Sequence, residues 1–157
     1  MTSTIALDPA AFPLFLKLCV AMICGLLLGT ERVLSHKAAG MRTYALVSLG
    51  SALFIIIGDL VVNRYMMGNF NPAVIMSGII SGVGFMGAGV IIFRDSSLVG
   101  LTTASGLWVA AGIGIAAGFG LFTLALLATF FALFVFIVLW HLEQRIKKVS
   151  GIDDTGK

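Results

Sequence analysis

Between Gly29 and Thr43 the chain reads Gly-Thr-Glu-Arg-Val-Leu-Ser-His-Lys-Ala-Ala-Gly-Met-Arg-Thr, setting one acid, three fixed cations and a histidine between two long apolar runs. A charge beside hydrocarbon costs roughly 2.5–3.5 kcal/mol at mid-depth, so such residues are either interfacial anchors or working parts. Glu31, Arg32, Lys37, Arg42 and Thr43 form the candidate functional cluster. Anchoring accounts for Arg32, Lys37 and Arg42. It does not account for Glu31, because an acid adds nothing to the positive-inside bias and costs desolvation unless paired. Neighbours on a helix point about 100° apart, so Glu31 and Arg32 are expected to pair poorly with each other. Glu31 is expected to reach Lys37 or Arg42 across the following turn, and Arg32 a carboxylate elsewhere or a lipid phosphate.

A second tier of polar candidates is thinner. Asp59 falls near the end of the second apolar run, where it can meet Arg64 or water. Thr102 or Thr103 can cap the helix opened by Gly100-Leu-Thr-Thr-Ala-Ser and, with Ser105, line a polar cleft toward Glu31 and Arg42. Trp108 lies deeper, where its indole N–H calls for an acceptor. His36 and His141 lack metal-ligand company. Cys19 and Cys24 stand five residues apart in one apolar run, without ligand neighbours, and read as free residues facing lipid or core. No Ser–His–Asp set, HExxH, phosphate loop or dinucleotide fingerprint is present, so neither an enzyme, a metal nor a cofactor is expected.

The elements that must carry these residues are membrane helices. The chain has 157 residues, 59% of them hydrophobic and 11% charged, and a mean hydropathy of +1.10. Those values lie outside the soluble globular range. The start, 1–13, carries no Lys or Arg and does not read as a cleavable signal. Windows near the length needed to cross about 30 Å of hydrocarbon fall at 14–29, 43–62, 73–93, 101–117 and 119–140, giving an all-α, five-span domain over 14–140. The last two form a hairpin turning near Gly112, Gly114, Gly118 and Gly120. A basic tail, 141–157, leaves the membrane after Trp140. Phe12, Tyr44, Tyr65 and Phe70 read as an aromatic belt.

The distribution of cations orients the spans. One side receives Arg32, Lys37, Arg42, Arg94, Arg145, Lys147, Lys148 and Lys157, and the other only Lys17 and Arg64. The amino terminus is expected outside and the carboxyl terminus in the cytoplasm. The net charge of +3 then reflects topology and not a nucleic-acid partner.

Nineteen glycines need a structural reason, since each costs about 1 kcal/mol relative to Ala in a soluble helix interior. Close helix packing supplies one, through Gly25-xxx-Gly29, Gly78-xxx-Gly82, Gly84-xxx-Ala88 and Gly114-xxx-Gly118, with Gly87 and Gly89 adding to the third span. That span is the expected central helix. The alternative is a local break in it that exposes backbone groups to an ion or substrate.

Gly25-Leu-Leu-Leu-Gly-Thr-Glu-Arg, Lys37-Ala-Ala-Gly-Met-Arg-Thr, Gly82-Val-Gly-Phe-Met-Gly-Ala-Gly-Val-Ile and Gly100-Leu-Thr-Thr-Ala-Ser-Gly-Leu-Trp together resemble the membrane domain of the MgtC/SapB family. The resemblance covers about 14–140. It implies a multi-pass protein of the bacterial inner membrane, linked to growth at low magnesium, survival inside host cells and regulation of membrane partners such as ATP synthase. Two family features are missing. Asn71-Pro72-Ala73-Val74 stands where the family commonly has Asp-Pro-Ser-Arg, and Val99 where a basic residue often precedes Gly-Leu-Thr-Thr. The short tail resembles a SapB-like member without the carboxyl-terminal cytoplasmic domain. Three functions are open: docking and regulation of a membrane-protein partner, a small homo-oligomeric transporter or channel for magnesium or another cation, or a structural membrane protein with no ligand. The lipid bilayer is the partner common to all three.

Overall fold

The structure, a computed structural model, describes residues 11–65, 71–94 and 97–150, with side chains throughout except at 63–65 and 94. The amino-terminal residues 1–10, the expected belt residue Phe70, residues 95–96 and the tail beyond 150 lie outside the described residues, as do the side chains of Arg64 and Tyr65. Among the described residues, five helical segments are long and apolar enough to cross a membrane. They comprise α1 (Ala11–Leu34), α2 (Met41–Tyr65), α3 (Pro72–Val90), α4 (Leu101–Gly118) and a final rod. The rod joins α5 (Phe122–Phe134), a π-helical turn (Val135–Leu139) and α6 (Trp140–Val149).

The helix ends explain most differences from the expected spans. α1 closes with the Lys37 N–H donating to the Arg32 carbonyl at 2.9 Å and the His36 N–H to the Val33 carbonyl at 3.0 Å. This is a Schellman closure, and its left-handed position is filled by His36 at φ 54°. α4 ends in the same motif with Gly120 at φ 78°, the Leu121 N–H reaching the Ala116 carbonyl and the Gly120 N–H the Ala117 carbonyl. The hairpin therefore turns at Phe119–Leu121, and α5 begins three residues later than expected. α3 starts on Asn71, whose side chain accepts from the Ala73 N–H at 3.0 Å, with Pro72 behind it. It runs unbroken to Val90 and then stops short of Phe93. There β1 (Ile92–Arg94) pairs antiparallel with β2 (Ser97–Val99). At α4 the cap is left-handed Gly100, with no side-chain bond, so neither Thr102 nor Thr103 caps it.

The expectation of a central third span is corrected. α4 is the central helix, burying eleven of its eighteen residues, whereas α3 buries only Val83 and Gly87. α4 owes its place to Gly106, Gly114 and Gly118. A Cβ at Gly118 would lie 2.9 Å from the Ala52 carbonyl, and one at Gly114 would run into the Ser48 backbone. On α1, Gly25 and Gly29 serve the same close approach, with hypothetical Cβ positions 2.8 Å from Ala45 Cα and 2.5 Å from Met41 Cα. Dispersion between backbones at such distances stands in for the hydrophobic drive that lipid removes. Gly78, Gly82, Gly84 and Gly89 on α3 face open space, so their predicted packing role finds no partner within the described residues. Among the α3 glycines, Gly87 alone meets a neighbour, Ala104 of α4, at 3.4 Å.

Candidate functional site

Glu31 and Arg32 occupy the last turns of α1 and are both buried, at 9% and 2% relative exposure. Contrary to the sequence expectation, they pair with each other: Nε and Nη2 of Arg32 engage Oε2 of Glu31. The Cβ atoms diverge, but the long arginine side chain folds back far enough to close the gap. The other carboxylate oxygen, Oε1, accepts from Ser35 Oγ at 2.6 Å, one turn further on. Both oxygens of Glu31 are thus occupied from within α1 and its cap. Lys37 and Arg42, the expected partners, are exposed and join no ion pair among the described residues.

The guanidinium of Arg32 stacks on the ring of Phe136, its carbon 3.7 Å from the centroid. Phe136 stands in the π-helical turn, where the extra residue re-aims the side chains of the rod. Beside it Tyr44 of α2 is fully buried and donates its hydroxyl to the Thr103 carbonyl at 3.3 Å. Gly106 of α4 lies under both rings: a Cβ there would meet the Tyr44 hydroxyl and approach Phe136 Cζ to 2.7 Å. Glu31, Arg32, Tyr44, Thr103, Gly106 and Phe136 therefore form a junction of α1, α2, α4 and the rod. A buried ion pair is stable only when its remaining donors and acceptors are met. Here Ser35 and the Phe136 face supply part of that solvation, a desolvated cation–π contact being worth about 2 kcal/mol.

The other predicted residues lie elsewhere. Thr103 joins the junction through its carbonyl, not through its hydroxyl, while Thr102 and Ser105 are exposed and no Glu31–Arg42 cleft forms. Ser105 Oγ turns back to the Leu101 carbonyl at 3.0 Å. Trp108 is 54% exposed with no indole hydrogen bond among the described residues, lining a second groove with Gly84, Gly87 and Ala104. Asp59 is exposed on α2, about 22 Å along the helix from Tyr44 at 1.5 Å per residue. Thr43 borders an open groove of about 660 Å³ between α2 and α3, lined also by Leu46, Gly50, Phe54, Gly78 and Gly82. Cys19 and Cys24 are free. Among the described residues no group of three or more His, Cys, Asp or Glu converges at metal-ligand spacing.

Tyr44, Ser35, Gly106 and Phe136 escaped the sequence reading. Tyr44 read as a belt residue, yet it is core. Its position one helical turn before Ser48, a polar residue inside the span, could have marked an inward face. Nothing in Phe134-Val-Phe-Ile-Val signals a π turn, since every side chain there suits a membrane helix.

Residues 18–145 match the family described as the MgtC family. The chain is 41% identical over 138 residues to "Protein MgtC" of Salmonella typhimurium strain LT2, covering 88% of this chain and 57% of that one. It is 42% identical over 89 residues to "Putative magnesium transporter YhiD" of Escherichia coli strain K12, covering 54% of this chain and 40% of the relative. It is 39% identical over 85 residues to "Protein MgtC" of Brucella abortus, covering 54% and 34%. The match thus spans little more than half the length of the Salmonella relative and less than half of the other two. No solved structure matches it. The match runs from α1 into α6 and takes in the whole junction of Glu31, Arg32, Tyr44, Thr103, Gly106 and Phe136; the chain belongs to the MgtC family and is a multi-pass membrane protein.

Proposed function

We propose that this chain is a non-enzymatic protein of the bacterial inner membrane that docks and regulates a membrane partner in connection with magnesium homeostasis or stress. Its amino terminus is outside and its carboxyl terminus cytoplasmic, following the distribution of Lys and Arg. The observation that carries this reading is the groove of about 660 Å³ between α2 and α3, where Gly50, Gly78 and Gly82 have no atom within 4 Å of a would-be Cβ. Its walls are the apolar side chains of Leu46, Phe54, Ile75 and Met86. A groove with small residues at its floor and apolar walls suits a transmembrane helix of another protein, because close backbone approach is what drives such association in lipid. Filling the floor with Gly78→Leu and Gly82→Leu should abolish copurification of the partner while the isolated chain keeps its thermal stability. Retained copurification with both leucines in place would refute docking at this groove.

The printed name of the Escherichia coli relative supports a second reading, transport of magnesium. A cation path calls for acidic or carbonyl ligands at depth. Glu31 is already bound on both oxygens, by Arg32 and Ser35, which favours docking over conduction through this residue. Purified protein in liposomes separates the two readings. Saturable magnesium flux by the intact chain would establish transport and overturn the regulatory reading.

A further inference from the structure

The rod does not end with the bundle. Phe136 is level with Arg32 in the last turn of α1, and the helix then runs on to Val149, about 20 Å further at 1.5 Å per residue. No residue of α6 is buried. Its sequence, Trp-His-Leu-Glu-Gln-Arg-Ile-Lys-Lys-Val, is amphipathic: Leu142, Ile146 and Val149 recur at i, i+4 and i+7 and share one face. They are 50%, 54% and 88% exposed. Arg145 and Lys148 border the stripe on one side, and the pair Glu143–Lys147, 3.2 Å apart, borders it on the other. Trp140, stacked edge-on against His141 at 4.8 Å, stands where the helix leaves the span, at the depth tryptophan favours at the membrane interface.

From this arrangement we infer that α6 is a membrane-surface helix that binds an anionic leaflet, seating Leu142, Ile146 and Val149 among the lipid chains and Arg145, Lys147 and Lys148 against phosphate headgroups. Charge selects this occupant. α6 carries three cations against one acid, so a second copy of α6 would bring like charge to like. The neighbouring end of its own bundle displays exposed Lys37 and Arg42, of the same sign. An anionic surface complements both sets at once. The π turn immediately before α6 is the place where the rod can change direction to lay the stripe down. This inference is independent of the α2–α3 groove.

The test places a polarity-sensitive fluorophore on Ile146→Cys, in a chain with Cys19→Ala and Cys24→Ala, reconstituted into vesicles. One set is phosphatidylcholine alone and the other phosphatidylcholine with phosphatidylglycerol. The expected result is a blue-shifted emission, quenched by a lipid-borne quencher, only in the anionic vesicles and reversed by salt. Arg145→Gln with Lys148→Gln should lower the bound-to-free ratio of the helix by about 25-fold, at roughly 1 kcal/mol per basic residue near such a surface. Identical spectra in the two lipid compositions would overturn the proposal. So would efficient disulfide crosslinking between copies of the unlabelled Ile146→Cys chain in both compositions, which would assign the stripe to a second copy.

Discussion

The guanidinium carbon of Arg32 lies 3.7 Å from the ring centroid of Phe136, joining the end of the first span to the π turn of the last. Because Arg32 also holds Glu31, the buried pair is fixed from three directions: by Ser35, by the ring, and by its own salt bridge. Removal of one member leaves the other charge without a counterpart. Arg32→Met should therefore destabilise the chain by about 3–5 kcal/mol, and Glu31→Gln with Arg32→Met should recover most of that loss. Thermal unfolding of the three proteins in one detergent checks this, and additive losses would contradict the pairing.

Phe136→Leu keeps an apolar side chain in the rod but removes the face over Arg32. A loss of about 2 kcal/mol is expected, and it should vanish in an Arg32→Met background if the cation–π contact is its source. A double-mutant cycle by thermal unfolding measures the coupling directly.

Tyr44→Phe deletes the 3.3 Å hydrogen bond to the Thr103 carbonyl without changing the packing of the ring. The expected cost is about 1 kcal/mol. Gly106→Ala should cost more than Tyr44→Phe, because its methyl group displaces both Tyr44 and Phe136. Equal melting temperatures for the two variants would show that the junction has room to relax.

His36 holds a left-handed backbone at φ 54° in the closure of α1. Its side chain is exposed, so His36→Gly loses no packing and removes a strain of about 1 kcal/mol. A higher melting temperature is expected, measured against Gly120→Ala, which should move it the other way.

The five spans were legible because each needs a long apolar run, and hydrocarbon permits few alternatives. The close approach at Gly25 and Gly29 was legible too, since small residues four apart share a helix face. The choice of central helix was not. Glycine spacing in α3 and α4 is alike, and only tertiary contact distinguishes Gly114, pressed on Ser48, from Gly82, which faces open space. At the candidate site the sequence marks Glu31 as an acid out of place. Its partner was obscured because helix geometry argues against pairing between neighbours, whereas a long arginine in the final turn can fold back. Phe136 depends on a π turn that leaves no trace in composition.

α3 buries only Val83 and Gly87 against the bundle, Gly87 meeting Ala104, and has a groove on either side. A helix seated in this way is the least anchored stave, whereas α1, α2 and α4 are locked together through the glycines of α1 and α4. Its amides should exchange with solvent deuterium ahead of those of α4, because opening it ruptures little buried contact. The cooperative unit of this protein is then the bundle of α1, α2, α4 and the rod with α3 laid against it, and anything that binds α3 acts on the part of the molecule that resists least.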